Sequence, residues 1–336
     1  MNRVAVVVIN YKGIDDTIRC LAALAKQTYA PMTIILVENG SQDGSTETIK
    51  TLEKKYGKKL VTIYHQQNLG FTGGANAGMR WAIEHDFDGV ALLNNDAVAD
   101  TRWLESLVAS HTRTKAGITT SLLLHEHGDT IDSTGDWYSI WGLPFPRNRG
   151  DLAAKAPAAG FVFGATGGAS LYDIRMLREI GLFDDTFFAY YEDVDISFRT
   201  QLAGWKVYYE PAAIAYHKQG ATSKKMPGFA VRQTFKNLPL VYLKNVPRGL
   251  LFSIGIRFWC AYAIMLAHAI KKGSAKPAIS GYFQSIGLFW TSALSKRWSI
   301  QASKKVTTNY IRTLLWPDLP PDQTGMRKLR RFFTGK

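Results

Sequence analysis

The strongest constraint on the fold lies in residues 1–100. Val4 to Ile9 is an unbroken β-branched and apolar run, as expected of a strand buried on both faces of a parallel sheet. It ends in Asn10-Tyr11-Lys12-Gly13, and a helical pattern follows with Ile18, Leu21, Ala22 and Ala25 on one face. Thr33 to Val37 predicts a second buried strand, ending in Glu38-Asn39-Gly40-Ser41. After the turn Gln42 to Ser45, Thr46 to Tyr56 reads as a helix. Leu60 to Tyr64 is a third, short strand. The glycine-rich loop Asn68 to Gly74 opens a helix over Ala75 to Glu84, and Gly89 to Leu93 is a fourth strand ending in Asn94-Asn95-Asp96. Strands alternating with helices imply an α/β chain with a mostly parallel central sheet flanked by helices. Ligands bind such sheets beyond the carboxyl ends of the strands. Three polar strand ends converge there: Asn10-Tyr11, Glu38-Asn39 and Asn94-Asn95-Asp96.

The glycine-rich loop is not GxGxxG directly after the first strand, and no GKS or GKT is present. Neither a dinucleotide fingerprint nor a P-loop is supported. Gly73 and Gly74 fit either close approach of backbone amides to a phosphate or a tight turn. Trp103 to Ser110 continues as a helix. Residues 117–160 read as a long irregular surface loop, rich in Gly, Pro and aromatics. There Trp137, Tyr138 and Trp141 suit stacking on a sugar ring or covering a core edge. Phe161 to Tyr172 predicts a strand with an embedded glycine bend, where Gly164, Gly167 and Gly168 would let backbone pass close to a ligand. A short helix over Ile174 to Ile180 and a strand over Trp205 to Tyr209, closed by Pro211, follow.

Between them lies FFAYYEDVDISFRTQLAGW, residues 187–205. Glu192, Asp193 and Asp195 fall within four residues behind Tyr190 and Tyr191. Val194, Phe198 and Leu202 then recur at i, i+4, i+8, with Gly204 as the expected C-cap. The carboxylates therefore gather at a helix N-terminus, where the dipole favours negative charge. Three acids behind an aromatic pair exceed the needs of a cap.

Charge divides the chain. Residues 1–217 hold 20 Lys and Arg against 25 Asp and Glu, a net of −5. Residues 218–336 hold 21 against only Asp318 and Asp322, a net of +19. Such asymmetry points to a polyanionic partner, a membrane surface or a nucleic acid. No RRM, KH or OB pattern is visible, so no nucleic acid is expected. Gly249 to Ile270 is long enough to span a bilayer, but Arg257 near its middle costs ~2.5–3.5 kcal/mol on insertion scales. Ile279 to Leu294 is shorter, aromatic and interrupted by polar residues. Both runs are flanked by Lys and Arg and read as helices lying on an anionic membrane, apolar face down. A helical subdomain packed on the catalytic domain, or a homodimer contact, is the other use of the same pattern. The two cysteines, Cys20 and Cys260, lack metal-type spacing and fit a reducing compartment. MNRVAVVVINY is too short an apolar run for a signal peptide. The expected location is peripheral, at the cytoplasmic face of the cell membrane.

Five segments in one order carry a resemblance: VVVINYKG, VENGSQDGS, NLGFTGGANAG, LLNNDA and FFAYYEDVDISFR. Over about residues 3–220 the chain resembles the family 2 glycosyltransferases of GT-A (Rossmann-like) fold, in their rhamnosyltransferase-like branch. The resemblance implies an inverting enzyme. It would move a sugar, with rhamnose the candidate, from a UDP-, dTDP- or GDP-sugar to a lipid-linked or cell-surface polysaccharide hydroxyl. It implies donor binding by Asn10, Tyr11, Glu38, Asn39, Asn68, Gly70, Asn76, Asn94 and Asn95. Asp96, with His217, would hold a divalent cation, Mg²⁺ or Mn²⁺. Asp193 would be the catalytic base, with Glu192 beside it, and Gly167, Gly168, Tyr191 and Trp137 would face the acceptor. Glu38 and Asn94 stand where Asp is usual. The implied division is a catalytic domain at 1–225, with a nucleotide-sugar half to about 115 and an acceptor half at 116–225. A basic amphipathic helical region follows at 226–316, then a basic flexible tail at 317–336.

The chemistry agrees independently. Departure of a nucleoside diphosphate needs its charge neutralised, which a hard cation on carboxylate oxygens supplies. The acceptor hydroxyl needs a base. Two other classes fit the same sheet: a sugar nucleotidyltransferase, which usually carries a longer basic glycine loop after the first strand, and a non-catalytic nucleotide-sugar-binding protein. The joint presence of Asp96, Asp193 and His217 speaks against the last.

Overall fold

The computed structural model describes residues 1, 3–219, 226–321, 323 and 326–334. The expected alternation is present: β1 (Val4–Asn10), α1 (Ile14–Leu24), β2 (Met32–Asn39), α2 (Ser45–Tyr56), β3 (Leu60–His65), α3 (Gly70–Glu84) and β4 (Gly89–Leu93). A short β5 (Ala97–Ala99) and α4 (Trp103–Thr114) follow. The strands β3, β2, β1 and β4 lie side by side, all parallel. Side chains of β1 divide by parity. Val4, Val6 and Val8 join Leu21, Leu24 and Trp103 on one face of the sheet. Ala5 and Val7 join Ala75 and Met79 on the other. Burial on both faces is why the run is unbroken rather than alternating.

The glycine-rich loop is the first turn of α3, which starts at Gly70 rather than at Ala75. A Cβ on Gly74 would lie 2.9 Å from Ile9, and one on Gly78 2.5 Å from Val7. These glycines bring the helix close against β1. Gly70 answers to a different neighbour: its φ is +74°, and a Cβ there would lie 2.3 Å from the Phe188 carbonyl oxygen.

Residues 117–160 depart most from expectation. They contain β6 (Ile118–His125), inside the sheet, then β7 (Ile131–Ser133) and a hairpin of β8 (Asp136–Tyr138) and β9 (Pro144–Pro146). The stretch 161–172 is not one strand. It splits into edge strand β10 (Gly160–Val162) and central strand β11 (Ala169–Asp173), and the glycine bend between them spans the sheet. After α5 (Ile174–Ile180) and α6 (Glu192–Leu202), the strand expected at 205–209 runs on as β12 (Val207–His217). It passes Pro211 through a register shift between Glu210 and Ile214. The completed ten-stranded sheet has the order β10-β12-β6-β11-β4-β1-β2-β3, with β5 on β12 and β7 on β6. Antiparallel β11 joins β4 to β6, and β6 and β12 are parallel. The β1 side is thus parallel and the far side mixed.

The basic third forms α7 (Phe229–Asn245), α8 (Arg248–Lys271), α9 (Ala275–Leu288), a π-helical turn at Phe289–Ala293, α10 (Leu294–Ala302), α11 (Thr308–Leu314) and α12 (Arg327–Thr334). The stripe read from the sequence of α6, Val194, Phe198 and Leu202, buries into one cluster with Phe235, Leu238, Ile254 and Phe258 of these helices. This cluster also takes in Phe163 and Phe187, and stands apart from the two clusters on the faces of the sheet. The segment read as a flexible tail is partly built in: α12 forms there, and Arg330 pairs with Asp318.

Candidate functional site

A cavity of about 750 Å³ opens beyond the carboxyl ends of β1, β2, β4 and β12. The three polar strand ends meet there. Tyr11, Asn39 and the run Asn94, Asn95 and Asp96 all line it. Asn39 Nδ2 donates to Asn68 Oδ1 (3.1 Å) and to the Gly70 carbonyl (2.9 Å), so β2 sets the turn that opens α3. Asn68 and Gly70 line the cavity through that turn. Asn95 Nδ2 reaches Thr17 Oγ1 at 3.1 Å, which ties the β4 end to α1.

Three residues expected at the donor lie elsewhere. Asn10 and Glu38 are buried outside the cavity lining and bound to each other. Glu38 also accepts from the Ser41 amide at 2.7 Å, and Thr17 Oγ1 donates to Asn10. The pair braces the floor beneath Tyr11. Asn76 sits on the face of α3 turned to the segment before α6. There it donates to the Phe183 carbonyl and to Asp185, and accepts from the Phe183 amide. Trp137, expected on the acceptor side, is also outside the lining and packs its ring 5.5 Å from that of Trp316.

Asp96 and His217 come together because β5 pairs antiparallel with the end of β12, setting His217 opposite Ala97. His217 Nε2 lies 3.0 Å from Asp96 Oδ1 and 3.3 Å from Asn94 Nδ2. Its Nδ1 is 2.7 Å from Asp132 Oδ2. Burial works to lower the His217 pKa, but the two aspartates outweigh it and push it up to about 9. Asp132 is held below the usual carboxylate range by His217 and Arg149 against the opposing effect of burial. Among the described residues, no group of three or more His, Cys, Asp or Glu side chains converges as a complete metal cage. The donor set still suits a divalent cation. A carboxylate and an imidazole nitrogen are adjacent, and the other ring nitrogen is fixed by a second carboxylate, the usual support of a metal-bound histidine.

Asp193 stands at the N-terminus of α6, half-buried in the cavity wall. The Gly167 amide donates to its Oδ2 (3.0 Å) and the Val194 amide to its Oδ1 (2.9 Å). Burial raises its pKa while these amides resist the rise, leaving it above the ordinary carboxylate value. Beside it, Glu192 is pushed well up by burial and by the charge of Asp193, and its Oε2 has no hydrogen-bond partner. Asp136 is raised well above normal for the same two reasons. Gly167 and Gly168 carry backbone past site side chains: a Cβ would fall 3.4 Å from Asp193 Cβ and 3.1 Å from Asn94 Nδ2.

The approach to α6 is strained. Phe188, Tyr190 and Tyr191 have φ of +62°, +68° and +70°, a region non-glycine residues seldom occupy. Helix α7 holds this segment. Asn237 Nδ2 donates to the carbonyls of Phe187, Ala189 and Tyr190 at 2.8–3.1 Å. Lys236 Nζ caps the carbonyls of Thr186 and Phe187. One turn into α6, Asp195 accepts from Arg199 (2.9 Å) and Asn245 (2.8 Å) and pairs with buried Lys244 (2.8 Å). Lys244 and Lys296 also clasp Asp184.

The sequence reading missed Asp132, Asp136 and Arg149, which line the cavity, and Lys236, Asn237 and Lys244, which support it. The acid pair in DSTGD was the available signal for Asp132 and Asp136, submerged in a stretch read as a loop. The α7 residues looked like part of a basic surface.

A family model described as Glycosyltransferase like family 2 matches residues 2–237. The chain belongs to this family. It is a glycosyltransferase of GT-A fold. Among curated proteins it is 26% identical over 245 residues to the N-acetylglucosaminyl-diphospho-decaprenol L-rhamnosyltransferase of Mycobacterium tuberculosis, covering 65% of this chain and 77% of that protein. It is 21% identical to the low-salt glycan biosynthesis hexosyltransferase Agl10 of Haloferax volcanii, over 85% of this chain and 92% of that one. Among solved structures, GalNAc-T7 with UDP, GalNAc and Mn²⁺ superposes with a TM-score of 0.64 at 15% identity. That match covers 89% of this chain, which spans 58% of the GalNAc-T7 chain. The Pyrobaculum calidifontis mannosyltransferase with GDP-Man and Mn²⁺ gives a TM-score of 0.50 at 13% identity, over 94% of this chain and 87% of that one.

Proposed function

We propose that this glycosyltransferase moves a sugar, with rhamnose the leading candidate, from a nucleoside-diphosphate donor to a hydroxyl of a lipid-linked acceptor, with inversion. The observation that carries this reading is one cavity whose lining brings together Asp96, His217 and Asp193. The donor diphosphate lies toward the first pair, beside Tyr11, Asn39 and Asn68. Asp96 and His217 would hold a Mg²⁺ or Mn²⁺ ion, whose positive charge offsets that of the departing diphosphate. Asp193 takes the proton of the acceptor hydroxyl as its oxygen bonds to the anomeric carbon and the carbon–diphosphate bond breaks. Its raised pKa makes it a stronger base than a free aspartate, and the Gly167 and Val194 amides hold it in place. Direct displacement requires one base, the role given to Asp193; a retaining mechanism needs a nucleophile as well. The similarity to a rhamnosyltransferase that acts on a decaprenol-linked sugar supports both sugar and acceptor class.

Membrane attachment rests on two helices. Helix α8 is long and apolar enough to cross a bilayer by length and composition. Yet Leu250, Ile254, Phe258 and Ala261 are packed into the catalytic core, which holds it along the protein. Arg257, whose charge argued against spanning, lies over the Phe333 ring of α12. The opposite face of α8 exposes Phe252, Ile256, Trp259 and Ile264, and α9 with the turn after it exposes Ile279, Phe283, Ile286 and Trp290. Lys271, Lys272 and Lys276 stand exposed where the two helices join. Apolar stripes with cations at their junction suit the interface of an anionic cytoplasmic leaflet.

Calorimetry with UDP, dTDP and GDP, with and without Mn²⁺ or Mg²⁺, tests the donor site. One nucleotide should bind in a metal-dependent way, and Asp96→Ala should abolish that dependence. Failure of the folded protein to bind any of them would overturn the reading in favour of a scaffold role.

A further inference from the structure

The cavity lining is of two kinds. Part of it is polar, including Asn94, Asn95, Asp96, Asp193 and His217. Part is apolar, with Leu143 and Phe145 of the β8–β9 hairpin and Phe229, Leu238 and Met265 of α7 and α8. A hydrocarbon chain fills an apolar wall of this kind. The wall also continues outward. Met265 is adjacent to Ile264, one of the exposed residues on the outer stripe of α8. One helical turn thus borders both the catalytic cavity and the apolar surface.

We propose that the apolar part of the cavity wall is a subsite for the hydrocarbon chain of the acceptor. Phe229, Leu238 and Met265 contact the chain segment nearest the head group, while the reacting hydroxyl faces Asp193. The chain leaves past Met265 to the outer stripe of α8, so the acceptor is glycosylated without leaving the lipid. This assignment rests on the transferase reading and adds the chemical class of the acceptor's remote part. Met265 is a specificity residue here: it touches the chain and not the reacting atoms.

The test uses the full chain and a farnesyl diphosphate carrying a diazirine on its prenyl chain. After photolysis, labelled peptides are identified by mass spectrometry. Saturable labelling is expected at the peptides bearing Phe229, Leu238 and Met265, chased by unlabelled geranylgeranyl diphosphate and not by palmitate. Met265→Glu should weaken labelling about tenfold, the value of roughly two buried methylenes. Met265→Leu should retain it, and both variants should bind nucleotide as the parent does. Labelling confined to Phe252, Phe283 and Trp290, or chased equally by palmitate, would mean surface adsorption and would overturn the subsite. Should Met265→Glu lose nucleotide binding through misfolding, the chase pattern of the unaltered protein still decides. If nucleotide binds but the wall is not labelled, the subsite alone fails; if no nucleotide binds, the transferase reading fails instead.

Discussion

On the β1 side of the sheet, each strand takes a partner from the next βα unit, and local polar contacts secure the strand ends. Asn39 holds the Asn68–Gly70 turn, and Asn10 holds Glu38. On the β12 side, strands pair across long stretches of chain, and the decisive contacts come from the C-terminal helices. Asn237 supports the strained loop before Asp193, and Lys244 neutralises Asp195 and Asp184 behind it. The β1 side is secured largely within itself, whereas the β12 side depends on helices outside the sheet. Binding and chemistry should therefore fail separately under substitution.

The sharpest division is expected from Asp193→Asn. Transfer should fall by about 10²–10⁴-fold, the usual value of a general base, while calorimetric nucleotide affinity stays within twofold or so. Equal loss of both would show the halves to be one unit. Next in size is Lys244→Met, which removes the buried cation shared by two carboxylates and leaves Asp195 with Arg199 and Asp184 with Lys296. It should cost roughly 3–5 kcal/mol in denaturant unfolding. Because both aspartates are held below the usual carboxylate range, their contribution is complete above about pH 4 and is lost as pH falls toward their folded values. Lys244→Met should therefore lessen acid sensitivity in that range, and an unchanged acid profile would assign the effect to packing. Asn237→Ala removes three bonds to the loop and should cost about 1–3 kcal/mol, lowering kcat at unaltered donor affinity. Smallest in stability is the double change Phe252→Ser and Phe283→Ser, expected within about ±0.5 kcal/mol of the parent. It should nonetheless reduce flotation with anionic vesicles, and undiminished flotation would remove these stripes from the membrane contact.

The same contrast explains what could be read from residues alone. In β1 burial on both faces writes itself as an apolar run, and the polar strand ends follow at once. β6 escaped notice because its interior carries Thr119, Thr120 and Ser121. Two of them are buried with partners outside the strand: Ser170 Oγ lies 2.9 Å from Thr120 Oγ1, and Trp103 Nε1 lies 2.7 Å from Ser121 Oγ. β12 was cut short at Pro211, since the register shift that carries a strand past proline has no local signature. Asp193 was legible as part of an acid cluster; its supports on α7 were not, because Lys and Asn on a basic helix resemble solvated surface. Asn10, Glu38 and Asn76 were placed in the right neighbourhood, but their side chains face inward.

The lysine buried between Asp184 and Asp195 has a practical consequence. A protein that adheres to a bilayer through one segment and reacts through another can usually be trimmed into a freely diffusing enzyme. Here the helical region proposed to adhere also includes α7, which supplies a counter-ion beneath the reacting helix. Cutting the chain after β12 would strip Lys244 and Lys296 from Asp184 and leave Asp195 with Arg199. The proposed adhesion and the support of α6 thus share one set of helices, and a water-soluble form of this enzyme is better sought by recolouring the outer stripes of α8 and α9 than by shortening the chain.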